Sequence, residues 1–329
     1  MVMTPQANPS LSLRANSSVA HPNAPGGVGW WIWYVPPVLA GRTYVQLAEV
    51  CRQNRISHLV VKAGDAANRW AQFGYCAPAL QAEGVRVYAW TYCYGDDPAA
   101  EASVAISALE AGADGLVLDI EGECEGKHAA IEELWKRIRE RYPEAWVAWA
   151  PMPVIDYHDP PLYRIACRYA SAHLPQFYWS ALGPQYGDLH YLFALWLGWQ
   201  QVWTQEGLPV LPIMPIGQAY GEATTEEMRT FVQWCRSLEL PALSWWEWNA
   251  SSEEQWNTVA ELARQWAGSP EPAVPRFVLG FAEVASRLGA EAVGQPTEDE
   301  HPETLTVQRT STGVMLWRPG EPAGFYRAV

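Results

Sequence analysis

Asp119 and Glu121 stand two positions apart in the run ADGLVLDIEGE, residues 113–123, where small and apolar residues lead into three carboxylates, the third being Glu123. Alternate side chains of an extended strand face the same way, so these two acids would share one side of it. Two carboxyls that close repel when both are ionised, which keeps a proton on one of them near neutral pH and makes a general acid. The plainer readings are a solvated loop edge or an ion pair with Lys62. A Lys62 ammonium bonded to Glu121 would hold that carboxylate ionised and spoil it as an acid.

The elements that must position this pair are legible in outline. Strand candidates are residues 28–35, 57–64, 85–92, 115–121, 145–151, 173–179, 210–216 and 242–248. Helical periodicity runs between them, over Tyr44–Asn54, Ala99–Ala111, Ala129–Tyr142, Thr224–Leu238 and Ser252–Trp266. TTEE at 224–227 and SSEE at 251–254 read as capping boxes. Near-continuous apolar strands, each followed by a helix, predict a parallel sheet buried on both faces. Eight such units over about 240 residues predict α/β architecture of the closed (β/α)8 TIM-barrel type. No G-x-G-x-x-G follows the first strand, which removes the dinucleotide-binding alternative.

In such a barrel the chemistry sits at the C-terminal strand ends. That rule gathers Trp31 and Trp33, then Lys62 and Asp65, then Trp90, Tyr92, Tyr94 and Asp96 around Asp119, Glu121 and Glu123. Strand five adds Trp149 and Met152, strand six Gln176, Tyr178 and Trp179. Strand seven adds Met214 and Gln218, and strand eight Trp245, Trp246, Glu247 and Trp248. Acids ringed by flat, polar-edged aromatic side chains suit glycoside binding and hydrolysis.

DGLVLDIE, residues 114–121, resembles the strand-four signature D-G-x-D-x-D-x-E of family-18 glycoside hydrolases, the chitinase family. Asp114, Gly115, Asp119 and Glu121 match, and Val117 stands where the family has an aspartate. PQFYWS at 175–180 is similar to the strand-six Q-x-Y element of plant-type members. The tryptophans of LSWWEW at 243–248 fall where the family places a strand-eight Trp. The resemblance implies Glu121 as general acid and Asp119 as the residue orienting the substrate's N-acetyl group, which serves as internal nucleophile. It also implies a Tyr178 hydrogen bond to the acetamido carbonyl, and Trp245 or Trp246 under the sugar ring. The strand-ending D-x-E looks in addition like that of the family-25 lysozymes, which cut peptidoglycan.

Composition narrows the partners. The formal net charge of −14, without a long basic run, argues against nucleic acid and anionic membrane. Nineteen Trp and fifteen Tyr accompany only seven Phe, an excess that either packs a core or stacks on sugars. The six cysteines form no C-x-x-C pair and the seven histidines no H-E-x-x-H, so neither zinc nor another metal or cofactor is expected. Carboxylates at 65, 96, 121 and 123 would hold Ca²⁺ or Mg²⁺ only if their loops converged. His158 reads as a surface-loop residue. No apolar stretch is long and charge-free enough to span a bilayer, and the N-terminus lacks the pattern of a signal peptide. A soluble chain without a recognisable export signal is expected.

The division expected is a disordered leader at 1–27, the barrel at 28–268, a Pro-rich linker at 269–275 and a small C-terminal α+β appendage at 276–329. The appendage is similar to V-G-x-P…Q-x-T-x-G-x-x-x-W segments of bacterial wall-associated proteins, which implies cell-wall association. Trp317 there is either a ligand contact or the module's core residue. Two functions follow. One is a glycoside hydrolase acting on a β-linked N-acetylhexosamine polysaccharide, chitin-like or peptidoglycan. The other is a carbohydrate-binding barrel without turnover.

Overall fold

A computed structural model describes residues 21–268 and the backbone of four short strands beyond them. The strands in chain order are β1 Gly27–Ile32, β2 Ile56–Asp65, β3 Asn68–Arg69, β4 Arg86–Cys93, β5 Gly115–Ile120, β6 Val147–Pro151, β7 Gln176–Phe177, β8 Ile216–Gln218 and β9 Ala242–Trp246. β3 folds back antiparallel on β2, and the other eight run parallel in the order β6-β5-β4-β2-β1-β9-β8-β7. The ring closes between β6 and β7 through a bridge from Trp149 to His173, with Leu174 N–H donating to the Trp149 carbonyl at 2.9 Å. The chain is a (β/α)8 barrel.

The alternation of side chains splits the core in two. Trp31, Val60, Tyr88, Trp90, Val117, Ala148, Leu174 and Ile216 fill the interior. Trp30, Leu59, Val87, Leu116, Leu118 and Val147 face outward and meet the helices. The interior admits its large rings because small residues face them. At Gly115 an added Cβ would lie 2.7 Å from the Trp146 ring and 2.8 Å from its carbonyl oxygen, so only glycine fits.

Proline accounts for most departures from the expected strand limits. The first strand stops at Ile32 because a helix, Val35–Leu39, begins with prolines in its first turn. The sixth shrinks to two residues and Trp179 opens a short helix, Trp179–Leu182. The seventh is not 210–216 but Ile216–Gln218, since Pro212 and Pro215 lack the N–H a ladder needs. Helices at Ala71–Gln81, Pro160–Tyr169 and Leu189–Gln205 complete the outer layer. Thr224 and Glu227 form the expected capping box. The second box pairs Ser252 with Gln255 rather than Ser251 with Glu254.

Residues 21–26, expected in the leader, pack against the barrel floor instead. Arg86 donates to the carbonyls of Ala24 and Pro22, and the Tyr88 hydroxyl to that of Asn23. Residues 1–20, the linker at 269–275 and the amphipathic segment of the appendage lie outside the described residues. His301–Pro302, Thr306–Arg309, Gly313–Trp317 and Gly324–Arg327, labelled β10 to β13, form an antiparallel sheet in chain order. All six cysteines are buried free thiols, and among the described residues no helix is long and apolar enough to cross a membrane.

Candidate active site

β5 delivers Asp119 into the mouth of the barrel, two residues above Val117 on the same side. Asp119 is 4% exposed. Its Oδ2 accepts the Trp90 indole N–H at 2.9 Å and its Oδ1 the Gln176 amide at 3.0 Å. That same amide nitrogen donates to Glu121 Oε1 at 2.7 Å. The two acids share a hydrogen bond, and Gln176 from β7 clasps both. Burial, the charge of Glu121 and that hydrogen bond push the Asp119 carboxyl well above the usual range, opposed by the Trp90 N–H and the Lys62 charge. The raised carboxyl lies within one hydrogen bond of Glu121.

Lys62 does not bond Glu121. It is 1% exposed, and its ammonium meets Asp65 Oδ2 at 2.8 Å. Four rings surround it, with Trp90 at 4.1 Å, Trp33 at 4.9 Å, Tyr92 at 5.3 Å and Trp70 at 5.4 Å from Nζ to ring centre. Such a cage stabilises the ammonium out of water. The sequence offered no sign of Trp70, because β3, which it follows, is two residues long and has no periodicity of its own.

Trp246 is the half-buried floor of the mouth. Its ring centre lies 5.0 Å from Trp90, 5.6 Å from Trp31, 5.7 Å from Trp33 and 6.4 Å from Tyr178. Trp31 sits beneath as packing, fully buried, its indole N–H on Ser244 Oγ at 2.9 Å. Tyr178 lies near Tyr220, with ring centres 5.7 Å apart. Burial first, then the charges of Asp119 and Glu121, raise its phenol well above its ordinary value, so its hydroxyl remains a donor. Tyr92 donates to Glu123 at 2.8 Å.

Two expected contacts are corrected. Trp149 and Trp245 occupy odd positions on strands whose even residues 148, 150, 242 and 246 face the interior. Both point into the helix layer, Trp149 against Tyr163 and His173 and Trp245 against Phe231. Neither reaches the mouth. Gln218 is held by Ser180, and Met152 contributes its carbonyl to Tyr163. His158 closes a loop contact with Glu125 at 2.7 Å.

Glu247, just after β9, is 8% exposed and accepts the Trp33 N–H through Oε2 at 3.3 Å. Burial raises its carboxyl to about 6, against a smaller lowering by that N–H. The native state then binds a proton more tightly than the unfolded chain, so stability falls as pH rises from about 4.5 to about 6, by roughly 2 kcal/mol. Glu247→Gln is expected to flatten that slope in urea unfolding across the window. An unchanged slope would show that Glu247 is not its source.

The loop after β4 is held by a residue the sequence did not single out. Glu101, 3% exposed, accepts the N–H groups of Tyr94, Gly95, Asp96 and Asp97. Its only signal was an acid in the first turn of a helix, too common a feature to mark it. Among the described residues no cluster of three or more His, Cys, Asp or Glu is arranged to hold a metal ion.

No protein-family model matches the chain, and no curated protein matches it in sequence. Solved structures do. Active domain 2 of a thermostable chitinase from Pyrococcus furiosus, as catalytic-site mutants complexed with chito-oligosaccharides, is 11% identical with TM-score 0.54, covering 75% of this chain and 97% of that one. Catalytic-site mutants of the same domain match to the same extent in a second set of structures. A class V chitinase from Pseudomonas fluorescens is 10% identical with TM-score 0.48, covering 71% and 98%. At these identities the likeness is one of fold.

Proposed function

We propose that this barrel is a glycoside hydrolase acting on a β-linked N-acetylhexosamine polysaccharide, chitin-like or peptidoglycan. The observation that carries the proposal is the Asp119–Gln176–Glu121 constellation, two carboxyls clasped by one amide at a strand end above a tryptophan floor. Glu121, the more open of the two, protonates the glycosidic oxygen. The acetamido oxygen of the substrate attacks the anomeric carbon as that bond breaks, and water, giving its proton to the Glu121 carboxylate, then opens the cyclic intermediate and restores the acid. Asp119 accepts the acetamido N–H and orients it, Tyr178 donates to the acetamido oxygen, and Trp246 carries the sugar ring. The solved chitinase domain that shares the fold and is complexed with chito-oligosaccharides supports the choice of sugar.

The substrate's own acetamido group supplies the nucleophile, which sets the test. N-acetylglucosamine oligomers or peptidoglycan strands should be cleaved, and the N-deacetylated oligomers should not. Equal cleavage of both would remove the substrate-assisted mechanism. One observation favours a second reading, a sugar-binding barrel without turnover. Val117 lies beneath Asp119 at 0% exposure, in an apolar layer with Val60 and Ala148, where the resembling family has a third carboxylate. Quenching of tryptophan fluorescence by those oligomers, with no product after prolonged incubation, would establish it.

A further inference from the structure

The mouth is flanked by two aromatic pairs that do not touch the acids, although Trp70 of the first also closes the Lys62 cage. Tyr34, which follows β1, is 51% exposed and lies 5.3 Å from Trp70, which follows the β2–β3 hairpin. Tyr157, which follows β6, is 65% exposed and meets Tyr186, which follows β7, at 4.9 Å with a hydrogen bond between them. Round the ring β1, β2, β4, β5, β6, β7, β8, β9, the first pair stands at the first two places and the second at the fifth and sixth. The pairs face each other across the mouth, with the acid pair at the fourth place and Trp246 at the eighth.

Both platforms are held in place without ligand. Tyr34 exchanges two backbone hydrogen bonds with the Asn249 side chain, at 3.0 and 3.3 Å. Trp70 N–H donates to the Ala63 carbonyl. Asp156, beside Tyr157, accepts the Trp199 indole N–H at 3.0 Å. Tyr186 belongs to a tight loop in which Gly187 N–H returns to the Gly183 carbonyl at 2.8 Å. A Cβ on Gly187 would lie 2.2 Å from the Trp179 carbonyl oxygen, so no other residue fits there. Exposed tyrosines on rigid backbone give flat contact area with little side-chain entropy to lose. A solitary exposed aromatic such as Tyr75 on the helix Ala71–Gln81 needs no such account.

Building on the carbohydrate reading of the acid site, we propose that Tyr34–Trp70 and Tyr157–Tyr186 are outer sugar-stacking platforms. The ligand is then a chain of several sugars laid across the whole mouth, with a central unit over Trp246. The test uses the Glu121→Gln protein, so that bound chains are not consumed, and follows tryptophan fluorescence with chitobiose, chitohexaose and solubilised glycan strands of peptidoglycan. Tyr34→Ala and Tyr157→Ala, both at exposed positions, should each weaken the long ligand by about 3- to 10-fold. Both variants should leave chitobiose within about twofold. Circular dichroism confirms that the variants are folded. If the substitutions weaken chitobiose and the long chains equally, or neither, the platforms are overturned while the sugar site stands. If the parent binds none of these glycans, the platforms and the carbohydrate reading fall together.

Discussion

Glu121→Gln is expected to lower turnover of N-acetylhexosamine oligomers by about 10²- to 10⁴-fold, the range of a lost general acid, while leaving their affinity within a few-fold. The substitution is close to isosteric, and the Gln176 amide that now donates to Glu121 Oε1 can meet the new amide's carbonyl oxygen. Asp119 keeps its bonds to Trp90 and Gln176, so the sugar floor and the orienting acid stay in place. What disappears is a group able to pass a proton to the leaving oxygen. The loss should therefore fall on kcat, not on KM. Cleavage at the parent rate by the Gln variant would end the hydrolase assignment of Glu121.

Lys62→Ala should cost about 3 kcal/mol of folding stability, the low end for breaking a buried pair, read from urea midpoints. The low end applies because Asp65, the partner left behind, has a side chain 30% exposed and can be hydrated. The variant also opens a void among Trp33, Trp70, Trp90 and Tyr92 and frees the ring that holds Asp119. Lys62→Met separates stem from charge. Met fills the space among the rings and removes the ammonium's desolvation penalty but leaves Asp65 without its partner, as Ala does, so this variant should cost less than the Ala one, about 1 to 2 kcal/mol. A Met variant as weak as the Ala one would mean that the ammonium, not the stem, supports the cage.

Much of the barrel was open to a linear reading because parallel strands covered on both sides must be apolar throughout, and helices between them must show a 3.6-residue period. β2, β4, β5 and β6 fall close to where their apolar runs placed them. β7 and β8 do not, because prolines on that side of the ring remove ladder donors and leave bridges in place of strands. The strand-end rule gathered Lys62, Trp90, Asp119, Glu121, Gln176 and Trp246 before any contact was known. It also admitted Trp149 and Trp245, since it names strand ends and not the parity of each side chain.

The eight-fold strand–helix alternation and the side-by-side placement of Asp119 and Glu121 follow from local periodicity. Which neighbour each charge takes is set by the packed barrel. Lys62 went to Asp65 and four rings, Gln176 to both acids, and residues 21–26 to the barrel floor. These partners lie far apart in the chain, and their choice depends on register, on side-chain direction and on which groups burial leaves without water. No local pattern encodes that.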